Sequence, residues 1–322
     1  MEITLLLALL GLGALIIPAL GDDDDDDDSS DTDTIDGTPD DDTLEGTSGD
    51  DEILGFLGDD IINGNGGLDI LRGSGGEDTI TGGDDRDEIF GGADNDDLFG
   101  LGDNDTIEGG GGDDFIDAGE GSDIVRAGNG NDTVFGNLGT DTIRGEGDDD
   151  DLYLWGEGGA AFGGEGDDNL IMVTGRGELE GGADDDVFYA FANDDDDEQT
   201  VAIITDFNPI SQADSIVMTI DTDDASVATA DLEVTVSEGT INGLDGYNIA
   251  VSFVNEGDEP DNFETARVFV VGTALDIDDV ADAVTVDVTV DAEATVEGAQ
   301  ETFDAVSVGA MAPDTLTVVP PT

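Results

Sequence analysis

Sixteen aspartates stand at the sixth place of a nine-residue unit. Asp33, Asp42, Asp51, Asp60, Asp69, Asp78, Asp87, Asp96, Asp105, Asp114, Asp123, Asp132, Asp141 and Asp150 follow in unbroken succession, and Asp168 and Asp186 resume the series. Gly159 and Gly177 take the two places missed. The unit runs without a slip from Asp28 to Tyr189, eighteen blocks in frame. A carboxylate is a hard, anionic oxygen donor. If the blocks stack as strands about 4.8 Å apart, the aspartates form columns of like charge. Such a column stands only with cations between its members. The chain cannot supply them, because it has no Lys and its six basic residues are Arg72, Arg86, Arg126, Arg144, Arg176 and Arg267. The cation therefore comes from solution. Carboxylates and the carbonyls of Gly-rich turns suit Ca²⁺, which takes about six to eight oxygen ligands. All sixteen aspartates are candidate ligands, and the gaps between stacked blocks suggest about fourteen ions.

The elements that must position them are legible in the same period. The eighth place is aliphatic: Ile35, Leu44, Ile53, Ile62, Leu71, Ile80, Ile89, Leu98, Ile107, Ile116, Val125, Val134, Ile143 and Leu152. The first place is mostly Gly, which supplies backbone conformations that other residues avoid. Each block thus has a loop half and a short strand half, as in Thr79-Ile80-Thr81 or Thr133-Val134-Phe135. Three residues cannot bury one apolar side chain alone. Copies stacked into a roll close a narrow core of Ile, Leu and Val, so the expected class is all-β. The Gly/Asp composition alone would suit a disordered tract. The regular eighth place argues for order when the cation is present, and disorder is expected without it.

Gly82-Gly83-Asp84-Asp85-Arg86-Asp87-Glu88-Ile89-Phe90 and Gly110-Gly111-Gly112-Asp113-Asp114 resemble the glycine- and aspartate-rich nonapeptides of RTX (repeats-in-toxin) proteins. The resemblance implies a right-handed parallel β-roll with two nonapeptides per coil. It implies Ca²⁺ held between blocks k and k+2 by the sixth-place Asp and loop carbonyls. It also implies export, unfolded, by type I secretion. The match departs from the pattern at Ala118 and Ala127, which replace the first Gly, and in Asp28–Asp36, which has no Gly.

Composition excludes several functions. The 84 acidic residues give a net charge of −78. Phosphate recognition needs Lys and Arg, so nucleic acid is not a partner. Anionic membrane surfaces are likewise disfavoured. Cys and His are absent, which removes disulfides, thiol nucleophiles, structural zinc and imidazole acid–base chemistry. Without Lys there is no phosphate loop. Paired carboxylates are abundant, but a solvated acidic surface produces them by chance, and no catalytic constellation assembles. Asn104-Asp105-Thr106 and Asn131-Asp132-Thr133 match the N-glycosylation pattern; both fall at one repeat position and read as products of the repeat.

Two flanks complete the organisation. Residues 1–21 hold an apolar stretch, Ile3–Leu20, read as a retained helix that lies in a membrane or packs against its own copies. A cleaved export signal is the competing reading, although Met1-Glu2 offers no positive start. Residues 22–36 form an acidic linker and the first, imperfect repeat. The β-roll occupies 37–189. From 190 to 322 the period gives way to alternating runs at Val201–Phe207, Ser215–Ile220, Leu232–Val236, Tyr247–Phe253, Arg267–Val271 and Val284–Val290, read as a β-rich cap and export domain. Ile204-Thr205-Asp206-Phe207 and Asp214-Ser215-Ile216 resemble the segment that closes RTX rolls. Because Gly159 and Gly177 lie two blocks apart, they fall on one side of the roll. The ion column there is expected to end after Asp141 and the opposite one to reach Asp186. The expected protein is extracellular or at the cell surface, a non-enzymatic calcium-binding structural subunit. The alternative is an adhesin or ligand-binding module, in which Tyr247, Phe253 and Phe263 are either contacts or, as the preferred reading, core residues of the C-terminal β domain. A secreted hydrolase is the third reading.

Overall fold

The computed structural model describes residues 14–16, 33–193, 200–208, 212–222, 232–241, 244–253, 264–271, 284–290 and 316–318. The chain divides into two compact units, Met1–Tyr153 and Leu154–Thr322.

In the first unit every block contributes one short strand. Side chains alternate in and out along it, so places six, eight and one face inward together. Asp42–Glu45 and Asp51–Leu54 both alternate buried and half-buried residues from the Asp onward. The inward triplet is therefore carboxylate, aliphatic, glycine. The aliphatic members form the core, from Ile35 and Leu44 to Ile143 and Leu152, all buried. Two parallel sheets result. One stacks the strands Asp42–Glu45, Ile61–Asn65, Thr79–Gly83, Asp97–Leu101, Phe115–Asp117, Thr133–Phe135 and Asp151–Leu154; the other stacks Asp33–Asp36, Asp51–Leu54, Ile70–Gly75, Glu88–Ala93, Thr106–Gly111, Ile124–Asn129 and Thr142–Gly147. Pairing is in register at eighteen residues, as in Ile107 with Val125 and Ile116 with Val134. Two nonapeptides thus make one coil, as the resemblance implied. Loops 37–41, 55–59, 73–77, 91–95, 109–113, 127–131 and 145–149 lead into the first sheet and form the first loop edge. Loops 46–50, 64–68, 82–86, 100–104, 118–122 and 136–140 lead into the second sheet and form the second edge.

Of the apolar stretch expected as a helix, only Ala14–Ile16 are described. These three are extended and pair parallel with Asp42–Leu44. The rest of residues 1–32 lies outside the described residues. Among the described residues no helix is long and apolar enough to cross a membrane.

The second unit keeps the two-sheet pattern. Asn169–Met172, Val187–Asn193, Ser215–Thr222 and Val284–Val290 stack in parallel. On the other side Glu157–Glu165, Arg176–Ala183, Thr200–Ile204 and Glu264–Val271 do the same. The stacking therefore continues past Tyr189, where the nine-residue period stops. Alternating β-branched residues satisfy the same ladder with longer loops between them. Glu264–Val271 also pairs antiparallel with Leu244–Phe253, which pairs antiparallel with Leu232–Ile241. Tyr247, a contact in the adhesin alternative, is buried in that hairpin; Phe263 lies outside the described residues.

Candidate metal centre

The inward sixth-place carboxylates form two hydrogen-bonded ladders, one per loop edge. The backbone N–H of each Asp donates to Oδ1 of the Asp one coil further on. On the first edge the bonds run from Asp42 to Asp60, Asp78, Asp96, Asp114, Asp132 and Asp150, at 2.7–2.9 Å. On the second they run from Asp51 to Asp69, Asp87, Asp105, Asp123 and Asp141, at 2.8–3.0 Å. In the second unit Asp168 donates to Asp186 at 3.1 Å. Fifteen of the sixteen sequence-identified aspartates are buried. Asp33 stands apart. It is exposed, and its N–H bonds Asp50 O at 3.2 Å rather than the Asp51 carboxylate.

From Asp60 and Asp69 to Asp141 one oxygen of each carboxylate is spent on this ladder. The other is the chemically telling one. In Asp60, Asp69, Asp78, Asp87, Asp96, Asp105, Asp114, Asp123, Asp132 and Asp141 the buried Oδ2 receives no hydrogen bond. In Asp42 and Asp51 the orphan is Oδ1, because Oδ2 accepts the N–H of Thr38 at 2.5 Å and of Thr47 at 2.6 Å. A buried anionic oxygen without a donor costs more than a neutral one and requires a cation or a proton. The first-place glycine faces this oxygen. A Cβ on Gly82 would lie 2.5 Å from Asp87 Oδ2 and 3.0 Å from Gly100 O. Bare Cα atoms thus keep open a space bordered by a carboxylate oxygen and a main-chain carbonyl. Among the described residues no three Asp or Glu side chains converge on one point. Each nonapeptide from Asp42 to Asp141 therefore offers one orphan carboxylate oxygen with main-chain oxygens beside it, and no nitrogen or sulfur ligand. This donor set fits Ca²⁺, with the sixth-place aspartates and loop carbonyls as the groups that would hold it. A bound divalent cation supplies the positive charge that the ladders lack.

Protonation is the alternative way to neutralise them. Burial, aided by the Asp neighbours one coil away and opposed by the backbone N–H, pushes Asp60, Asp69 and Asp78 up to about 6. Burial likewise takes Asp87 and Asp96 to about 7 and Asp105 to about 8. Metal-free coils thus hold protons near neutrality that free aspartate does not.

At Gly159 and Gly177 the carboxylate is missing; the register shifts between Glu157 and Gly159, and from Gly159 opposite Gly177 onward the strands pair regularly. A Cβ on Gly177 would meet Leu154 Cδ2 at 2.6 Å and Met172 Sδ at 2.9 Å. Leu154 and Met172 are buried, so apolar packing fills this edge. On the opposite edge the ladder extends beyond the last repeat. Asp214, also buried, accepts the N–H of Asp186 on Oδ1 at 3.3 Å and of Asn208 on Oδ2 at 2.7 Å. Asp206 accepts the N–H groups of Gly181 and Gly182 at 3.0 and 2.8 Å. Neither belonged to the periodic set. The sequence signal was Asp214-Ser215-Ile216, which repeats the Asp-x-aliphatic order of places six to eight.

No curated protein matches this chain. The family model of the RTX calcium-binding nonapeptide repeat (4 copies) matches residues 36–71, 63–98, 90–125, 99–134 and 126–160. Carboxylate ladder, glycine cradle and family match fall on the same coils: residues 36–160 belong to the RTX calcium-binding nonapeptide repeats.

Proposed function

We propose that this protein is a non-enzymatic extracellular structural protein, a surface-layer, matrix or filament subunit, which folds on Ca²⁺ after export. The observation that supports this most is the unpartnered buried oxygen in each carboxylate from Asp42 to Asp141. Extracellular calcium modules have dissociation constants of about 10⁻⁴–10⁻³ M. Coils of that affinity stay unfolded at low calcium and fold once outside, which suits passage through a type I secretion machinery. Repeats and β-strands occupy most of the chain, and without His, Cys or Lys, catalysis by imidazole, thiolate or amine is unavailable. Self-association through the apolar segment 3–20, or its insertion as an anchor, would place the acidic coils outward. Electron microscopy of full-length protein tests the structural role. Ordered fibres or sheets are expected with calcium and none in chelator. Dispersed particles in both conditions would overturn the subunit role and leave calcium folding untouched.

A calcium-dependent adhesin is the second reading. It is favoured by a line of rings on the outer face of the first sheet. Phe99 and Phe115 lie 6.0 Å apart, Phe115 and Phe135 5.6 Å, and Phe135 stacks on Tyr153 at 4.6 Å. Aromatic faces in a row can take up apolar ring faces of a ligand. Binding on a glycan array that is lost with Phe115→Ser and Phe135→Ser would favour it.

A further inference from the structure

The two loop edges carry the same sixth-place ladder but differ at the fifth place. On the first edge a second ladder runs there in the opposite sense. Asp41 Oδ1 accepts the N–H of Asp59 at 3.0 Å, and Asp59 Oδ1 accepts that of Glu77 at 2.9 Å. After Glu77, whose side chain is one methylene longer, it resumes. Asn95 Oδ1 accepts from Asp113 at 2.8 Å, Asp113 from Asn131 at 2.9 Å, and Asn131 from Asp149 at 3.3 Å. The second unit repeats the motif in Asp167 with Asp185 and Asp185 with Ala213, at 2.9 and 2.8 Å. The second edge has two rungs of this kind, Asp50 with Leu68 at 2.9 Å and Asn104 with Ser122 at 2.6 Å. Leu68, Arg86 and Ser122 interrupt it, since none offers a carboxylate or amide oxygen at that place.

Backbone conformation separates the edges as well. At the fourth place the first edge is left-handed coil after coil: φ is 108° at Gly58, 119° at Gly76, 73° at Asp94, 135° at Gly112, 120° at Gly130 and 72° at Asp148. One loop shape is copied along the edge. The second edge mixes shapes. Gly67 and Asp103 are left-handed, whereas Glu120–Gly121 and Leu138–Gly139 are short strands paired with each other. The fifth-place bond joins the loop of one coil to the loop of the next, directly beside the sixth-place Asp. It holds the carbonyl-bearing turn in place without a cation. Asn serves in it as well as Asp, so the bond needs an acceptor oxygen and not a charge.

We infer that the fifth-place side chains Asp41, Asp59, Asn95, Asp113 and Asn131 are positioning residues that preset the first loop edge for calcium and give it the higher affinity. A loop already ordered loses less freedom when the ion arrives, and the difference appears as affinity. The second edge must order its loops on binding and fills at higher calcium. This rests on calcium binding by the repeats and not on where the protein resides.

Calorimetric titration of the full chain with CaCl₂, with circular dichroism in parallel, tests it. Two classes of site are expected. The triple variant Asp41→Ala, Asp59→Ala, Asp113→Ala should raise the midpoint of the tighter class about tenfold and leave the weaker class in place. The matched triple Asp41→Asn, Asp59→Asn, Asp113→Asn keeps the acceptor and removes the charge, and should stay within about twofold of the parent. Leu68→Ala with Ser122→Ala, at the fifth place of the other edge, should change neither class. If the Ala triple does not fold in calcium, Asp113→Ala against Asp113→Asn carries the same comparison. A single class of sites, equal weakening by the Ala and Asn sets, or a joint shift of both classes would overturn the inference while calcium binding stood. No calcium uptake at all would sink both.

Discussion

The second unit closes its two loop edges by different chemistry on one scaffold. On one edge Asp168 and Asp186 continue the carboxylate ladder, and Asp214 completes it. On the other, glycine stands at the sixth place twice, and Leu154 and Met172 fill the volume. The ladder slips by one residue between Glu157 and Gly159 and then resumes in register, Gly159 with Gly177 and Ala161 with Leu179, while Asn169–Met172 pairs without a slip. The eighth place therefore specifies the coil, and the sixth specifies what the coil needs from solution. An edge with buried carboxylates needs a cation. An edge with apolar side chains is stabilised by the ordinary transfer of apolar surface from water.

The broadest way to break this comparison is to remove calcium. In chelator at pH 8 the first unit, with carboxylates on both edges, should lose its β signal in full. Hydrogen exchange should show the strands beside Leu154 and Met172 protected longest. Uniform loss of protection along the chain would contradict the division of labour between the sixth and eighth places.

Acid should substitute for the cation. Asp60 is held near 6 and Asp105 near 8 by burial in the metal-free fold, against about 4 in an unfolded chain. A raised folded-state value means that the fold binds protons more tightly than the unfolded chain. Its stabilising share is complete below about pH 4 and is lost as pH rises through 6 to 8. Metal-free protein should thus gain β structure on acidification and melt on return to pH 8, while the calcium-loaded form should keep its structure at pH 8. Metal-free protein better folded at pH 8 than at pH 5 would reverse the sign and defeat the argument.

The apolar edge should respond to packing and not to calcium. Leu154→Ala leaves a cavity beside Gly177 and Met172 and should cost about 3 kcal/mol. That cost should be the same at every calcium concentration above saturation, with the number of bound ions unchanged. A variant that lost stability only when calcium was limiting would place Leu154 on the metal side of the comparison.

Much of this was legible in the residues. A strict period makes the stack visible, because Asp at six and an aliphatic residue at eight recur with no insertions from Asp33 to Leu152. The strands at Ser215–Thr222 and Val284–Val290 were also visible, as alternating β-branched runs. Their parallel continuation of the stack was not, since longer loops hide the register. The same insertion concealed Asp214, which sits twenty-eight residues after Asp186 rather than eighteen. The fifth-place ladder stayed hidden for a different reason. Asp and Asn serve there equally, so no one residue type recurs. Asp33 shows the converse: it keeps the period yet lies outside the ladder, because its N–H turns to Asp50 O and leaves Asp51 Oδ1 without a donor. Ala14–Ile16 were read as helix from hydropathy alone, but an apolar run can equally pair with the open edge of the first coil.

The smallest effect expected is at Asp214, where the carboxylate ladder meets its end without asking for an ion. Both its oxygens are occupied by protein donors, the N–H of Asp186 on Oδ1 and of Asn208 on Oδ2. Asp214→Asn keeps one acceptor and sets an amide NH₂ against the other N–H. The loss of one charge-assisted hydrogen bond should cost about 1–2 kcal/mol. Because no oxygen of Asp214 is left over, calcium stoichiometry should not change. Asp105→Asn makes the contrast: its Oδ2 is an orphan, so that substitution should lower the number of ions bound. Thermal melts in saturating calcium, with ion counting by mass spectrometry under native conditions, read both variants at once. If Asp214→Asn also lowers the count, the ladder does not end in protein donors, and the carboxylate edge demands a cation along its whole length.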